Sequence, residues 1–442
     1  MNAALQSHSS TEKGPNGCMR KVLILAYFFP PDTSGGVPRT VKFVKYLDRL
    51  GWKSTVIAPD WPQAAGVGAN AGFVDPLPAQ SNVLRVGLGG DERGVWKALH
   101  RLPLFWRVQD AVKGALQYPD RFARWADEVL PVARSALARG EHAVLYSTSP
   151  PETSHFIALR LKNEFGIPWV ADFRDPWTDN VLMYGNPPAW RKRLDLKLEH
   201  RVYEAADRII ANTESNRSVL IERHGVPPQK IVTITNGYDE EDFVEISSAA
   251  PSDRFRITYC GSFYSTYNPA AFLAALSRFL SLEPSAKVCL TLAGAACDWA
   301  RENIRDPILS ERMELLGQIS SQEIFRLLAA SHLLLHTYPP GIPYSVPGKL
   351  YEYLRSGRPI VAVCDRPSEV ASILEQTGRG RAFRPDETDE LAEYLRTAYT
   401  DWARNREAPL LVADDRIRRY ERGILSQKLA QVFEELVQKA PE

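Results

Sequence analysis

Along this chain, apolar residues come in short unbroken runs, and after each run they return at every third or fourth position. The first run is "KVLILAYFF" (21–29). It is continuous rather than alternating, as expected of a strand covered on both faces. "GGVPRTVKFVKYLDRLG" (35–51) follows with apolar residues at helical spacing and Gly51 as the stop. The runs "KSTVIAP" (53–59), "NVLRVG" (82–87), "HAVLYSTS" (142–149), "PWVADF" (168–173), "DRIIANT" (207–213) and "KIVTITNG" (230–237) predict further strands, with helical stretches such as "TSHFIALRLK" (153–162) between them. Strands alternating with helices imply a parallel sheet with helices on both faces.

The alternation stops at "EISSAAPSDRF" (245–255), where small residues, Pro251 and charges read as a linker. It resumes with "RITYCG" (256–261), "KVCLTLAG" (287–294), "RMELLG" (312–317), "HLLLHTYP" (332–339) and "RPIVAVC" (358–364), and 416–439 reads as one amphipathic helix. The expected organisation is a disordered tail over 1–18, a doubly wound domain over 19–245, a linker over 246–255, a second doubly wound domain over 256–415 and a C-terminal helix over 416–442. The tail is polar and has no apolar core, so it does not read as a signal peptide; Met19 offers an alternative start. Two such domains face each other across a cleft, and ligands bind beyond the carboxyl ends of the strands.

A chain of 442 residues fits two or three domains, and its 44% hydrophobic and 24% charged residues are ordinary for a soluble protein. The net charge of +1 argues against a nucleic-acid partner and leaves any anion site local. The five cysteines (Cys18, Cys260, Cys289, Cys297, Cys364) are odd in number and form no CxxC pair. They read as reduced thiols in a cytoplasmic protein. No run is long and apolar enough to span a bilayer. The eight histidines show no HxH or HExxH spacing, and no metal is expected.

Three loops carry candidate chemistry. In "FFPPDTSGGVPR" (28–39), Gly35 and Gly36 let backbone approach a ligand at a helix N-terminus, and Arg39 adds a charge in the first turn. The segment fits neither the dinucleotide fingerprint nor the Walker loop, and a turn that needs positive dihedrals is the plainer alternative. In "ADFRDPW" (171–177), Asp172, Arg174 and Asp175 crowd charge after a strand, between the apolar Phe173 and Trp177. The alternative there is a solvated loop or a self-neutralising ion pair. In "PYSVPGKLYEYLRSGRP" (343–359), a constrained loop opens onto Lys349 at a helix start, with Glu352 one turn on. Free helix N–H groups and Lys349 suit a diphosphate, and two carboxylate oxygens suit a ribose diol. A surface Lys–Glu pair worth a few tenths of a kcal/mol is the alternative, but such a pair needs no constrained loop. Asn236 and Gly237 in "ITNGYDEEDF" and the lone His155 are weaker signals.

Together "ILAYFFPPDTSGGVPR", "ADFRDPWTD", "ANTESN", "TNGYDEEDF", "YCGSFY", "LLGQIS" and "PGKLYEYLRSGRPIV" resemble the GT-B glycosyltransferases, most closely glycosyltransferase family four, from about Met19 to the last helix. The resemblance implies transfer of a sugar from a nucleotide donor held by the C-terminal domain to an acceptor held by the N-terminal domain. It implies retention of configuration, no cofactor and no essential metal, and a final helix that crosses back to the first domain. The ribose-binding glutamate falls on Glu352, the glycine-rich loop on Gly35 and Gly36, and the base-contacting segment on Gly317 and Ile319. The implied donor set is completed by Arg39, Gly261, Ser262, Tyr344, Lys349 and Leu350, and the implied catalytic set is Asp172, Arg174, Asp175 and Lys349.

The chain departs from the family pattern in three places. Tyr344 stands where the first acid of E-x7-E belongs, Ser262 and Asn268 stand near an expected arginine and lysine, and Arg174 near an expected histidine. Lys349 is therefore expected to carry the phosphate contact. In the expected front-side displacement the departing phosphate oxygen takes the acceptor proton. Lys349, Arg39 and helix N-termini stabilise the growing charge, Arg174 and Asp175 orient sugar or acceptor, and domain closure excludes water. A nucleotide-sugar epimerase and a non-catalytic sugar-nucleotide-binding protein are the rivals. The segment 95–130, rich in Trp, Phe, Leu, Arg and Lys, reads either as core helices or as peripheral contact with the inner face of a membrane, since lipid-linked acceptors are common in the family.

Overall fold

The computed structural model describes residues 20–32, 34–61, 77, 81–88, 117–243, 253–263, 268–405 and 414–439. The expected tail, most of the 246–255 linker and most of the 95–130 segment lie outside these residues. The first sheet has seven strands: β1 (Arg20–Leu25), β2 (Trp52–Pro59), β3 (Asn82–Val86), β4 (His142–Ser149), β5 (Trp169–Phe173), β6 (Arg208–Ala211) and β7 (Ile231–Thr233). The second has six: β8 (Phe255–Cys260), β9 (Val288–Ala293), β10 (Met313–Leu315), β11 (Leu333–Thr337), β12 (Ile360–Val363) and β13 (Gly380–Phe383). The strand orders are β3-β2-β1-β4-β5-β6-β7 and β10-β9-β8-β11-β12-β13, and the pairings are parallel. This is the doubly wound order in both sheets, with direction reversing between β1 and β4 and between β8 and β11.

The continuous apolar run of β1 has a direct cause. Leu23 and Leu25 enter one core, with Trp125, Ile157 and Trp169. Val22 and Ile24 enter the core on the opposite face, with Val41, Val44 and Phe433. From Val22 to Leu25 the strand is therefore buried whichever way a side chain points.

Three helices position the cleft: α1 (Val37–Arg49) after β1, α2 (Gly348–Ser356) after β11, and α3 (Arg422–Lys439) at the C-terminal end. Leu425, Leu429 and Phe433 of α3 join the core beneath the first sheet, and the Phe433 ring lies 5.2 Å from that of Trp52. Each such burial contributes about 1.5–3 kcal/mol. The stretch 416–439 is not one helix, however. It divides into Asp415–Arg418 and α3, because the backbone between them bonds elsewhere. Tyr238 N–H donates to the Tyr420 carbonyl at 3.1 Å, and Arg422 N–H donates to the Tyr238 carbonyl at 2.8 Å. A backbone bonded to Tyr238 on both sides cannot also continue the helical ladder. β13 is not among the predicted strands; its sequence, Gly-Arg-Ala-Phe, contains no apolar run.

Candidate active site

The carboxyl ends of both sheets meet around a cavity of about 540 Å3. The first domain lines it with Gly35 and Gly36 after β1, Pro150 after β4, Arg174 and Asp175 after β5, and Asn236 and Gly237 after β7. The second lines it with Gly261 after β8, Gly294 after β9, Gln318 and Ile319 after β10, and Ser345 to Lys349 with Glu352 after β11. The strands that flank both reversals, with their neighbours, thus supply this lining, where doubly wound sheets bind ligands.

On the second-domain side, Lys349 sits in the first turn of α2, and its Nζ donates to Tyr259 Oη and to the Cys260 carbonyl, both at 3.1 Å. It lies 4.4 Å from the centre of the Tyr259 ring. Gly261 makes this possible. Its φ is +134°, and a Cβ there would stand 2.5 Å from Lys349 Nζ. Pro347 precedes the helix and no side chain caps it, so the first amides of α2 add to the positive spot. Glu352 follows one turn later. Burial and the nearby Asp242 raise its pKa to about 7, against the opposing pull of Arg422, Lys349 and Lys42.

On the first-domain side, Arg174 Nη2 donates to the Pro150 carbonyl at 3.1 Å, and the guanidinium lies against Gly36. A Cβ on Gly36 would fall 1.6 Å from Arg174 Nη1. The φ of Gly36 is −82°, so this glycine is required for the space it leaves and not for a positive dihedral. Asp175 accepts from Ser345 Oγ at 3.3 Å across the cleft, and burial raises its pKa against the pull of Arg174. Among the described residues no three His, Cys, Asp or Glu side chains converge to hold a metal ion.

Residues 34–237 match the family model of the glycosyl transferase 4-like domain, and residues 254–401 match that of glycosyl transferases group 1. The chain belongs to the GT-B glycosyltransferases of the family-four type. A probable glycosyltransferase of Pseudomonas aeruginosa, WbjE, is 23% identical over 273 residues, which is 60% of this chain and 68% of that protein. Among solved structures, sucrose-phosphate synthase from Thermosynechococcus elongatus superposes with a TM-score of 0.65 at 15% identity, over 95% of this chain and 100% of that one. HepE from Anabaena, solved in complex with UDP-glucose, superposes with a TM-score of 0.60 at 16% identity, over 94% and 99%. These two likenesses concern the fold. The family membership favours neither an epimerase nor a non-catalytic binding protein.

Several candidate residues of this glycosyltransferase lie elsewhere than expected. Asp172 is fully buried beneath the cleft. Its carboxylate accepts from Arg39 Nε and Nη2 at 2.9 and 2.8 Å, from Tyr146 Oη at 2.6 Å and from Thr148 Oγ1 at 3.1 Å. A carboxylate so fully engaged, with no solvent access, is not placed to act as a nucleophile. Arg39 is buried with it and also donates to the Ile234 and Thr235 carbonyls, both at 2.8 Å, so its charge does not face the cavity. Tyr344 turns away from the cavity: its hydroxyl donates to the Asp179 carbonyl, and its own carbonyl accepts from Thr213 at 2.5 Å. It ties the two domains together where the family pattern places an acid. Leu350 is core, and Ser262 and Gly317 stand outside the cavity wall, Gly317 just before Gln318 and Ile319, which line it. Sequence reasoning missed Arg422, Gln318 and Ser345. Arg422 is one of several arginines in "DDRIRRYERG", and no local pattern separates it from its exposed neighbours.

Proposed function

We propose that this glycosyltransferase takes its sugar from a nucleoside-diphosphate sugar and retains configuration, with the donor on the second domain and the acceptor on the first. The observation that carries the reading is the placing of Lys349 and the uncapped N-terminus of α2 one turn from Glu352, at the second sheet's reversal. Cation and amides match a diphosphate, and the carboxylate matches the ribose diol. HepE, of the same fold, holds UDP-glucose, which supports a UDP-sugar as the first donor to try.

In the proposed reaction the acceptor hydroxyl attacks the anomeric carbon on the face that the diphosphate leaves. The leaving phosphate oxygen takes the acceptor proton, and Lys349 with the α2 amides stabilises the charge that builds there. Arg174 and Asp175 orient the sugar and acceptor. No step uses a metal. The acceptor is a sugar, a lipid-linked sugar or another precursor of a surface glycoconjugate.

The test is a panel of nucleoside diphosphates screened by thermal shift, followed by turnover of the matching labelled sugar donor with and without a strong chelator. Stabilisation by one base over the others, with turnover undiminished by the chelator, supports the reading. No stabilisation by any nucleotide overturns the donor assignment. Turnover lost on chelation and restored by magnesium or manganese overturns the metal-free step.

A further inference from the structure

The C-terminal helix begins inside the cleft. Arg422, its first residue, is only 4% exposed and lines the cavity, while the helix body packs on the first domain. The bond from its backbone N–H to the Tyr238 carbonyl pins the crossing chain at this point. Yet Nη1 of Arg422 is buried and has no hydrogen-bond partner. Burying a guanidinium donor unpaired is unfavourable, so its placement needs a reason.

The charged groups around it narrow the reason down. Arg39 repels it, and Glu352 and Asp239 attract it. Asp239 is already engaged, by Lys42 at 2.6 Å, Lys45 at 2.8 Å and the Tyr46 hydroxyl at 2.6 Å. Glu352 accepts no hydrogen bond among the described residues, and it lines the same cavity.

We propose that Arg422 is a positioning residue for the donor: carried to the cleft by the crossing helix, it favours the carboxylate form of Glu352 at the cavity wall, so that both oxygens accept from the ribose diol. This rests on the donor reading given above. A protonated acid loses one of the two acceptors that a diol needs. Each element packed around Glu352 contributes a charge: Asp242 from the turn after β7 opposes ionisation, while Lys349 on α2, Lys42 on α1 and Arg422 on α3 favour it. Lys42 is held by Asp239 and Asp242, and Lys349 by Tyr259 and the Cys260 carbonyl. Of the three, only Arg422 has a buried nitrogen with no hydrogen-bond partner among the described residues. The donor site of the second domain is thus completed by a helix that rests on the first.

The experiment is calorimetric titration of the full chain with UDP from pH 6 to pH 8.5, for the parent, Arg422→Gln, Arg422→Lys, Glu352→Gln and the Gln/Gln double variant. Arg422→Gln is expected to raise the pH midpoint of UDP affinity by about one unit and so to weaken binding about fivefold at pH 7. In the Glu352→Gln background the same change is expected to cost less than about twofold, because its partner is gone. Arg422→Lys, which keeps the charge, is expected to leave the midpoint in place and affinity within about threefold. This variant carries the test should the glutamine variant not fold. Full additivity in the double variant, or a tenfold loss in Arg422→Lys, would overturn the role. Undiminished UDP affinity in Glu352→Gln would instead remove the donor reading itself, and this role with it.

Discussion

Arg39 and Lys349 occupy comparable places in the two halves of the molecule, one after β1 and the other after β11, on the two sides of their sheets' reversals. Each stands in the first turn of a helix that follows a strand at its sheet's reversal. In the first sheet the cation is sealed: Asp172, from β5, and two carbonyls near β7 take its donors. In the second sheet no carboxylate among the described residues bonds Lys349, and the cation lies in the cavity wall. A cation at a helix start beside a sheet's reversal thus becomes a structural ion pair in one domain and a charge in the cavity wall in the other. What decides between them is whether a buried acid reaches the cation across the sheet.

The largest expected effect breaks the sealed side. Asp172→Asn leaves the Arg39 guanidinium buried without its counter-charge, and removing one partner of a buried pair destabilises by about 3–5 kcal/mol. Although burial disfavours the charged form, Arg39 holds the Asp172 carboxyl below its usual pKa. Its contribution is therefore present above the unfolded carboxylate pKa and lost as pH falls. Chemical denaturation at pH 7 and pH 4 measures both effects, and the deficit of the variant should shrink at the lower pH. UDP affinity of the folded fraction should not change. A strong loss of UDP affinity with stability intact would return Arg39 and Asp172 to the donor site.

The next effect breaks the open side. Lys349→Ala removes a charge-assisted hydrogen bond worth ~1.5–3 kcal/mol, roughly ten- to hundredfold in donor transfer. The loss should show in turnover as well as affinity, since charge on the phosphate grows toward the transition state. Free nucleoside should bind almost as before. Equal losses for nucleoside and nucleoside diphosphate would mean that Lys349 supports the loop and not the phosphate.

The contrast also marks how far the sequence could be read. Strand–helix alternation showed both doubly wound sheets, since buried parallel strands must be apolar on each face. Lys349, Glu352, Arg174 and Asp175 were legible because loop, strand end and helix start are local signals. The Arg39–Asp172 pair was not, because its members lie 133 residues apart and meet only when β4 brings Tyr146 between β1 and β5. The aim of Tyr344 was hidden in the same way, since its partner Asp179 lies 165 residues away in the other domain. Arg422 was hidden by the break before α3, which a bond to Tyr238 imposes and no helix-stop residue announces.

A smaller effect tests the seat of Arg174. The atoms nearest a methyl group at Gly36 are the far end of a flexible side chain, so Gly36→Ala should change stability by no more than about 0.5 kcal/mol. Its consequence should be functional: the guanidinium moves from its place over the loop. Turnover is expected to fall roughly tenfold, the equivalent of about 1.4 kcal/mol, with UDP affinity unchanged. The parallel change Gly380→Ala is the control, because its methyl would meet the Ile360 carbonyl oxygen at 1.9 Å. There stability should fall. A Gly36→Ala enzyme with full turnover would place Arg174 outside the reaction.

The smallest effect concerns the proton on Glu352. Burial and Asp242 raise its pKa to about 7, above that of an unfolded carboxylate, so the folded protein keeps a proton that the unfolded chain gives up in between. Stability linked to this group is therefore present at low pH and declines as pH rises from the unfolded value to about 7. Donor binding has the opposite slope, since the diol needs the carboxylate. At pH 7 about half of the molecules carry the proton, so binding UDP should release about half a proton and be weakened only about twofold relative to high pH. At pH 6 the penalty should approach tenfold. Calorimetry of UDP binding in two buffers of different ionisation enthalpy reads the proton directly. Enthalpies that agree between the buffers at pH 7, in a protein that binds UDP, would show Glu352 already ionised in the free enzyme. The open side of the comparison would then be preset for its ligand, as fully charged before binding as the sealed side is.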